Sequence, residues 1–185
     1  MNKGLVNDLG KYYLIVSGGR WLKNGARAME AFDQLFSDRP DFVGNVVITG
    51  LSSLNKISIK LKNLNRFKCM DYVDETTLAS LYQNAYALVY PSLNEGFGYP
   101  PMEAMYRGCP VVASATASIT EICGDAALYF NPYLVKEIQM RILCLENSEL
   151  RKSLIERGKE REFRIRARQK EDLEKLCCKI LSFGN

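Results

Sequence analysis

The 185-residue sequence contains no histidine at all. That absence removes Ser-His-Asp and Cys-His nucleophile pairs and every histidine-bearing metal site, so acid–base chemistry within the chain falls to carboxylates. The six cysteines, at 69, 109, 123, 144, 177 and 178, show no C-x-x-C spacing. This speaks against a disulfide framework or a zinc site and for reduced thiols in a cytosolic protein, placed in the core or on the surface. No apolar run reaches the roughly 18 residues of a membrane span; residues 85–90, AYALVY, are among the longest. The stretch from Met1 to Lys11 has no apolar centre of a secretory signal. Internal repeats and low-complexity linkers are missing as well.

What is there suits one well-buried globular domain and excludes disorder and collagen: 47% hydrophobic and 25% charged residues. The net charge of +4 is unevenly spread. Residues 151–179 hold 11 Lys/Arg against 6 Asp/Glu, or +5, and the remainder is at −1. The basicity is a property of the tail.

Short β-rich runs alternate with segments of helical period, the mark of parallel strands joined by crossover helices. The expected class is therefore α/β. Strands are predicted at 12–16, 45–49, 67–70, 87–90, 110–113 and 127–130. Helices are predicted at 24–36, with Ala28, Ala31, Phe32 and Leu35 on one face, and at 75–84, N-capped by Asp74. The Lys- and Asn-rich stretch 55–65 reads as a helix plus a surface loop. From Pro132 onward the pattern is helical, and Leu173, Leu176, Cys177 and Ile180 share one stripe of the last helix.

The densest chemistry lies in residues 90–105, YPSLNEGFGYPPMEAM. Glu95 and Glu103 are eight positions apart, about 12 Å of rise on a continuous helix, and glycines and prolines between them forbid one. Glycines 96 and 98 favour a loop, Pro100 pushes Tyr99 out of the helical region, and Pro101 suits a first helical position. Glu95 is thus expected past the carboxyl end of a buried strand, and Glu103 in the first turn of the next helix. Backbone stripped of side chains at a helix mouth can hold a phosphate or sugar oxygens, with the carboxylates flanking an elongated polar ligand. On spacing alone, a solvated Glu95 and a Glu103 that merely complements the helix dipole fit equally well.

The run from Pro91 to Pro132 resembles, along nearly its whole length, the E-x7-E region of retaining GT-B glycosyltransferases of family 4. EGFG, PMEAM, the Gly108–Val112 turn into a strand, and Glu121 before Gly124-Asp125-Ala126-Ala127 fall in that family's order. Arg20 and Lys23, in GGRWLKNG, resemble the Arg and Lys after the first strand of the family's donor-binding domain. The resemblance implies a Rossmann-like sheet forming the C-terminal half of a GT-B fold. Residues 1–185 would be a single nucleotide-sugar-binding domain with a basic helical tail from 148, and the N-terminal acceptor domain would be missing. It implies catalytic roles for Arg20 and Lys23, on the donor diphosphate, and for Glu95, on the transferred sugar. Donor contacts would come from Gly19, Gly96, Phe97 and Gly98, and from Glu103 on the ribose hydroxyls.

The implied activity is retaining hexosyl transfer, weak or absent in the isolated domain, from a UDP- or GDP-linked sugar to a saccharide or lipid-linked acceptor. Bacterial surface polysaccharide, O-antigen or capsule, is the expected setting. No cofactor and no metal are expected, as the sequence lacks the Asp-x-Asp motif that chelates a cation in the other major glycosyltransferase fold. The alternative is a non-catalytic nucleotide-sugar-binding subunit that needs a separate acceptor-binding chain. Nucleic acid is not an expected partner. The expected place is the cytoplasm or the cytoplasmic face of the membrane. There the basic tail could brace the other domain or lie on anionic lipid, although a solvated charged face is the simpler expectation. A nicotinamide-binding Rossmann domain is disfavoured, because Ser17-Gly18-Gly19-Arg20 is not G-x-G-x-x-G and Trp21 would fill the dinucleotide's space.

Overall fold

The computed structural model of the chain describes residues 8–182. Residues 1–7, part of the stretch read for a signal, and residues 183–185 of the tail lie outside it. Six strands form one parallel sheet: β1 (Tyr12–Ile15), β2 (Asn45–Thr49), β3 (Phe67–Met70), β4 (Ala87–Tyr90), β5 (Val111–Ser114) and β6 (Ala127–Phe130). Their order across the sheet is β3-β2-β1-β4-β5-β6, with Leu14 of β1 opposite Val47 on one side and Leu88 on the other. The helices are α1 (Gly25–Asp38), α2 (Glu75–Asn84), α3 (Tyr99–Tyr106), α4 (Ala117–Cys123), α5 (Val135–Cys144) and α6 (Ser148–Ser182).

Strand side chains alternate between two faces, and each face is covered, as all-parallel sheets require. Tyr13, Ile15, Val46, Ile48 and Val89 pack with Ala28, Met29 and Phe32 of α1 and Ile138 and Ile142 of α5. Tyr12, Leu14, Val47, Leu88 and Tyr90 pack with Leu81 of α2, Met102 and Met105 of α3, and Ile119 and Ile122 of α4. The predicted inward faces of α1 and α2 are thereby met, and the side-chain carboxylate of Asp74 accepts a bond from the Thr77 N–H at 2.6 Å.

Two local expectations need correction. Stretch 55–65 holds no α-helix; 3-10 turns at Leu54–Lys56 and Leu64–Arg66 bracket irregular chain. The reason is tertiary. Buried Asp33 on α1 accepts the backbone N–H groups of Lys62 at 3.0 Å and Asn63 at 2.8 Å, which holds that chain against α1 where a helix would leave the carboxylate unpaired. Second, α3 begins at Tyr99 rather than Pro101, so Glu103 falls beyond its first turn. Gly98, at φ +103°, redirects the chain into the helix, and Pro100 and Pro101 lack N–H groups that would have had no partner in a first turn anyway. The tail is one continuous helix whose first half docks. Leu154 is buried, and the Arg161 guanidinium donates to the carbonyls of Ile122 and Glu121 at the end of α4. From Glu171 to Leu181 its side chains are exposed, so the Leu173, Leu176 and Ile180 stripe has no cover among the described residues. No helix among the described residues is long and apolar enough to cross a membrane.

Candidate functional site

The strand order reverses between β1 and β4: the chain builds outward through β2 and β3, then returns to β4 on the other side of β1. Loops leaving the carboxyl ends of those two strands splay apart and leave a crevice, the place where open α/β sheets bind ligands. The two loops are residues 16–24 and 91–98, which carry the Arg/Lys pair and the Gly-rich motif. They are tied together at several points. The Leu22 carbonyl accepts the Leu93 N–H at 2.8 Å. The Asn24 side-chain amide donates to the carbonyls of Pro91 at 3.2 Å and Pro132 at 2.9 Å. Gly19 is required where the first loop passes the end of β2, because a Cβ there would collide with the Gly50 carbonyl oxygen.

At the junction, Lys23 Nζ lies 2.5 Å from Glu95 Oε1, with only 15% and 11% of the two side chains exposed. The same oxygen accepts the hydroxyls of Tyr90 and Ser92, each at 2.5 Å, and Lys23 also donates to the Tyr90 oxygen at 2.8 Å. Burial pushes the Glu95 carboxyl up, but hydrogen bonds from Lys23, Ser92 and Tyr90 outweigh it and hold the group below its ordinary value. Burial and the adjacent carboxylate raise the Tyr90 phenol far above neutrality, so it stays a donor. All three donors meet on Oε1. Among the described residues no donor is seen on Oε2.

Gly19, Arg20, Trp21, Leu22, Lys23, Asn94, Glu95 and Gly96 line a cavity of about 570 Å³, within the roughly 300–1,000 Å³ usual for small-molecule sites. A Cβ on Gly96 would meet nothing within 4 Å, so its backbone faces open space. The structure thus gathers Arg20, Lys23, Glu95, Gly19 and Gly96 around one opening. Phe97 and Gly98 follow in the same loop, where the Phe97 ring contacts that of Tyr99 at 4.7 Å between centroids. Glu103 is not brought to that opening. It lines a separate cavity of about 250 Å³ with Glu75, Leu78, Tyr82, Tyr106, Arg107 and Arg166. There the buried Tyr82 hydroxyl lies beside the Glu103 carboxylate, and burial together with that carboxylate raises its phenol far above the ordinary value. The mouth of α3 also has fewer donors than a helix N-terminus normally offers, since two of its first three residues are prolines. Positive charge at the opening comes from side chains of the other loop instead.

Trp21 does not fill the crevice as expected from the sequence; 78% of its surface is exposed. The 3-10 turn Trp21–Lys23 points Lys23 inward and the indole out. Sequence reasoning missed Tyr90, Ser92 and Asn24. The signal for the first two was available: hydroxyls closing an otherwise aliphatic buried strand, in ALVYPS, need partners nearby.

The sheet order and flanking helices are those of a Rossmann-like half of the GT-B glycosyltransferase fold, as comparison with solved structures shows. The chain is similar to a sucrose-phosphate synthase from Thermosynechococcus elongatus (TM-score 0.72, 22% identity, covering 96% of this chain and 48% of that one). It is also similar to WaaG, a glycosyltransferase involved in lipopolysaccharide biosynthesis (TM-score 0.69, 19% identity, 85% and 44%). Residues 1–161 match the family described as glycosyl transferases group 1, and the chain belongs to that family. Among curated relatives, it is 31% identical over 138 residues to O-antigen chain mannosyltransferase RfbU of Salmonella typhimurium, covering 72% of this chain and 38% of that protein. It is 42% identical over 90 residues to O-antigen chain mannosyltransferase B of Escherichia coli, covering 48% and 24%. The matched stretches therefore cover well under half of each of these relatives.

Proposed function

We propose that the chain is the donor-binding half of a retaining, family 4 hexosyltransferase that acts in bacterial surface-polysaccharide assembly at the cytoplasmic side of the membrane. The names of the O-antigen relatives favour mannose as the sugar, and GDP-mannose is the donor this reading puts forward for test. The observation that carries this reading is the junction of Lys23 and Glu95 across the β1 and β4 loops, with Arg20 and the open Gly96 backbone beside it.

In this reading Arg20 takes the donor diphosphate, and Lys23 shares itself between that group and Glu95. Glu95, held ionised by three donors on one oxygen, offers the other to the sugar's hydroxyls. The sugar leaves its diphosphate on the face where the acceptor hydroxyl enters. The departing phosphate oxygen takes the acceptor's proton, and negative charge accumulates where Arg20 and Lys23 stand. The chemistry needs no metal and no cofactor; the facing half of the cleft, from another domain, supplies the acceptor. Glu103 would reach the ribose only if the nucleoside extends from the first cavity toward the second.

The test is a thermal-shift panel of UDP-, GDP-, ADP- and dTDP-sugars, because a ligand of the folded state raises apparent stability. GDP-mannose is expected to give the largest rise. Arg20→Ala, at an exposed position, should fold normally yet bind the donor about tenfold more weakly. With the facing half supplied, its transfer rate should fall on the order of 10². Near-wild-type binding and turnover by this variant would refute the assignment.

A further inference from the structure

Trp21 is the chain's only tryptophan, and its indole stands 78% exposed at the rim of the cavity that Lys23 and Glu95 line. An indole left in water forgoes the large gain of burying its rings, and this one, unlike the still more exposed Tyr72, lies on the lining of the candidate site. The position is rigid. The Asn24 N–H donates to the Trp21 carbonyl at 3.0 Å, and the next carbonyl, of Leu22, accepts the Leu93 N–H of the opposite loop. Asn24 then anchors the end of the turn to Pro91 and Pro132. Among the described residues no ring or cation is stacked on the indole, although Arg20 and Lys23 flank it in sequence.

We infer that Trp21 is a stacking platform for the pyranose ring of the transferred sugar. A hexopyranose presents C–H groups of partial positive charge on one face and hydroxyls around its edge. The negative π-face of an indole suits the first, and the free oxygen of Glu95 suits the second. The neighbouring cations are left for the diphosphate, so one short turn would divide its residues between the apolar and the anionic parts of one ligand. The inference rests on the reading that this cavity takes a nucleotide sugar. It adds a residue that contacts the sugar and not the nucleotide.

Because Trp21 is the sole tryptophan, its emission reports on this position in the intact chain without labelling. The chain is titrated with GDP-mannose, with UDP-glucose and with GDP and UDP alone, following fluorescence and, in parallel, melting temperature. The expected result is that a sugar nucleotide shifts the emission to the blue, whereas its diphosphate raises the melting temperature but leaves the emission in place. Trp21→Ala should weaken binding of the sugar nucleotide about fivefold with unchanged affinity for the diphosphate, and Trp21→Tyr should restore most of the loss. Emission that stays fixed at saturation, or equal affinity of Trp21→Ala for the sugar nucleotide, overturns the stacking role alone. Equal losses for both ligands assign Trp21 to the architecture of the turn and overturn it too. If no compound of the panel raises the melting temperature, the donor-site reading fails, and the stacking role fails with it.

Discussion

Breaking the Lys23–Glu95 junction should cost the fold stability in a way that depends on pH. The pair is mostly buried, at 15% and 11% side-chain exposure, and three donors converge on a single oxygen. A hydrogen bond to a charged group contributes about 1.5–3 kcal/mol, and removal of one partner of a buried pair leaves the other uncompensated. Glu95→Ala is therefore expected to lower the unfolding free energy by about 2–4 kcal/mol, since Lys23 can recover some water through the open cavity. For a chain of this size a 3 kcal/mol loss is a drop of about 6–12 °C in Tm. Glu95→Gln keeps acceptors for Tyr90 and Ser92 but loses the charge, and should cost about half as much. The folded carboxyl lies below its ordinary value of 4.5 because the donors outweigh burial. Its contribution is thus complete above the unfolded value and fades as pH falls through the folded one. Urea unfolding from pH 6 to pH 3 should show the wild type converging on Glu95→Gln. A Lys23→Met/Glu95→Gln cycle should give a coupling of about 1–3 kcal/mol. Additive single losses, or a wild-type advantage that persists unchanged at pH 3, would refute the reasoning.

Two glycines of the site should respond in opposite ways. Gly19→Ala drives a methyl into the Gly50 carbonyl, and backbone on both sides cannot give way cheaply; a loss of about 2–4 kcal/mol in urea unfolding is expected. Gly96→Ala meets open space, so stability should change by less than about 0.5 kcal/mol, while calorimetry should show weaker sugar-nucleotide binding as the methyl takes up cavity volume.

The sheet was legible because each parallel strand is a short apolar run with its own stop signal, and all six strand ranges agree with the structure to within one residue at either end. Helix α2 was legible for a similar reason: its Asp74 cap and inward stripe are local. Stretch 55–65 was not, because its shape follows from Asp33 on α1, some 30 positions earlier. The same limit applies at the site. The composition of residues 91–98 pointed to a ligand loop, and GGRWLK to its partner. The inward turn of Lys23, the outward turn of Trp21 and the engagement of Tyr90 and Ser92 depend on the adjacency of β1 and β4.

By itself the sequence determined the α/β class, the carboxyl-end location of the Glu95 loop and membership of a recognisable glycosyltransferase family, since each of these follows from short-range pattern and motif. Only the tertiary structure decided which charges meet. Lys23 and Glu95 are 72 positions apart and touch because the chain returns to the far side of its first strand. Glu103 is eight positions from Glu95 yet lines another cavity, because Gly98 turns the chain into a helix that carries it away from the crevice. Nearness along the chain fixes local conformation, whereas nearness in space here is set by strand order.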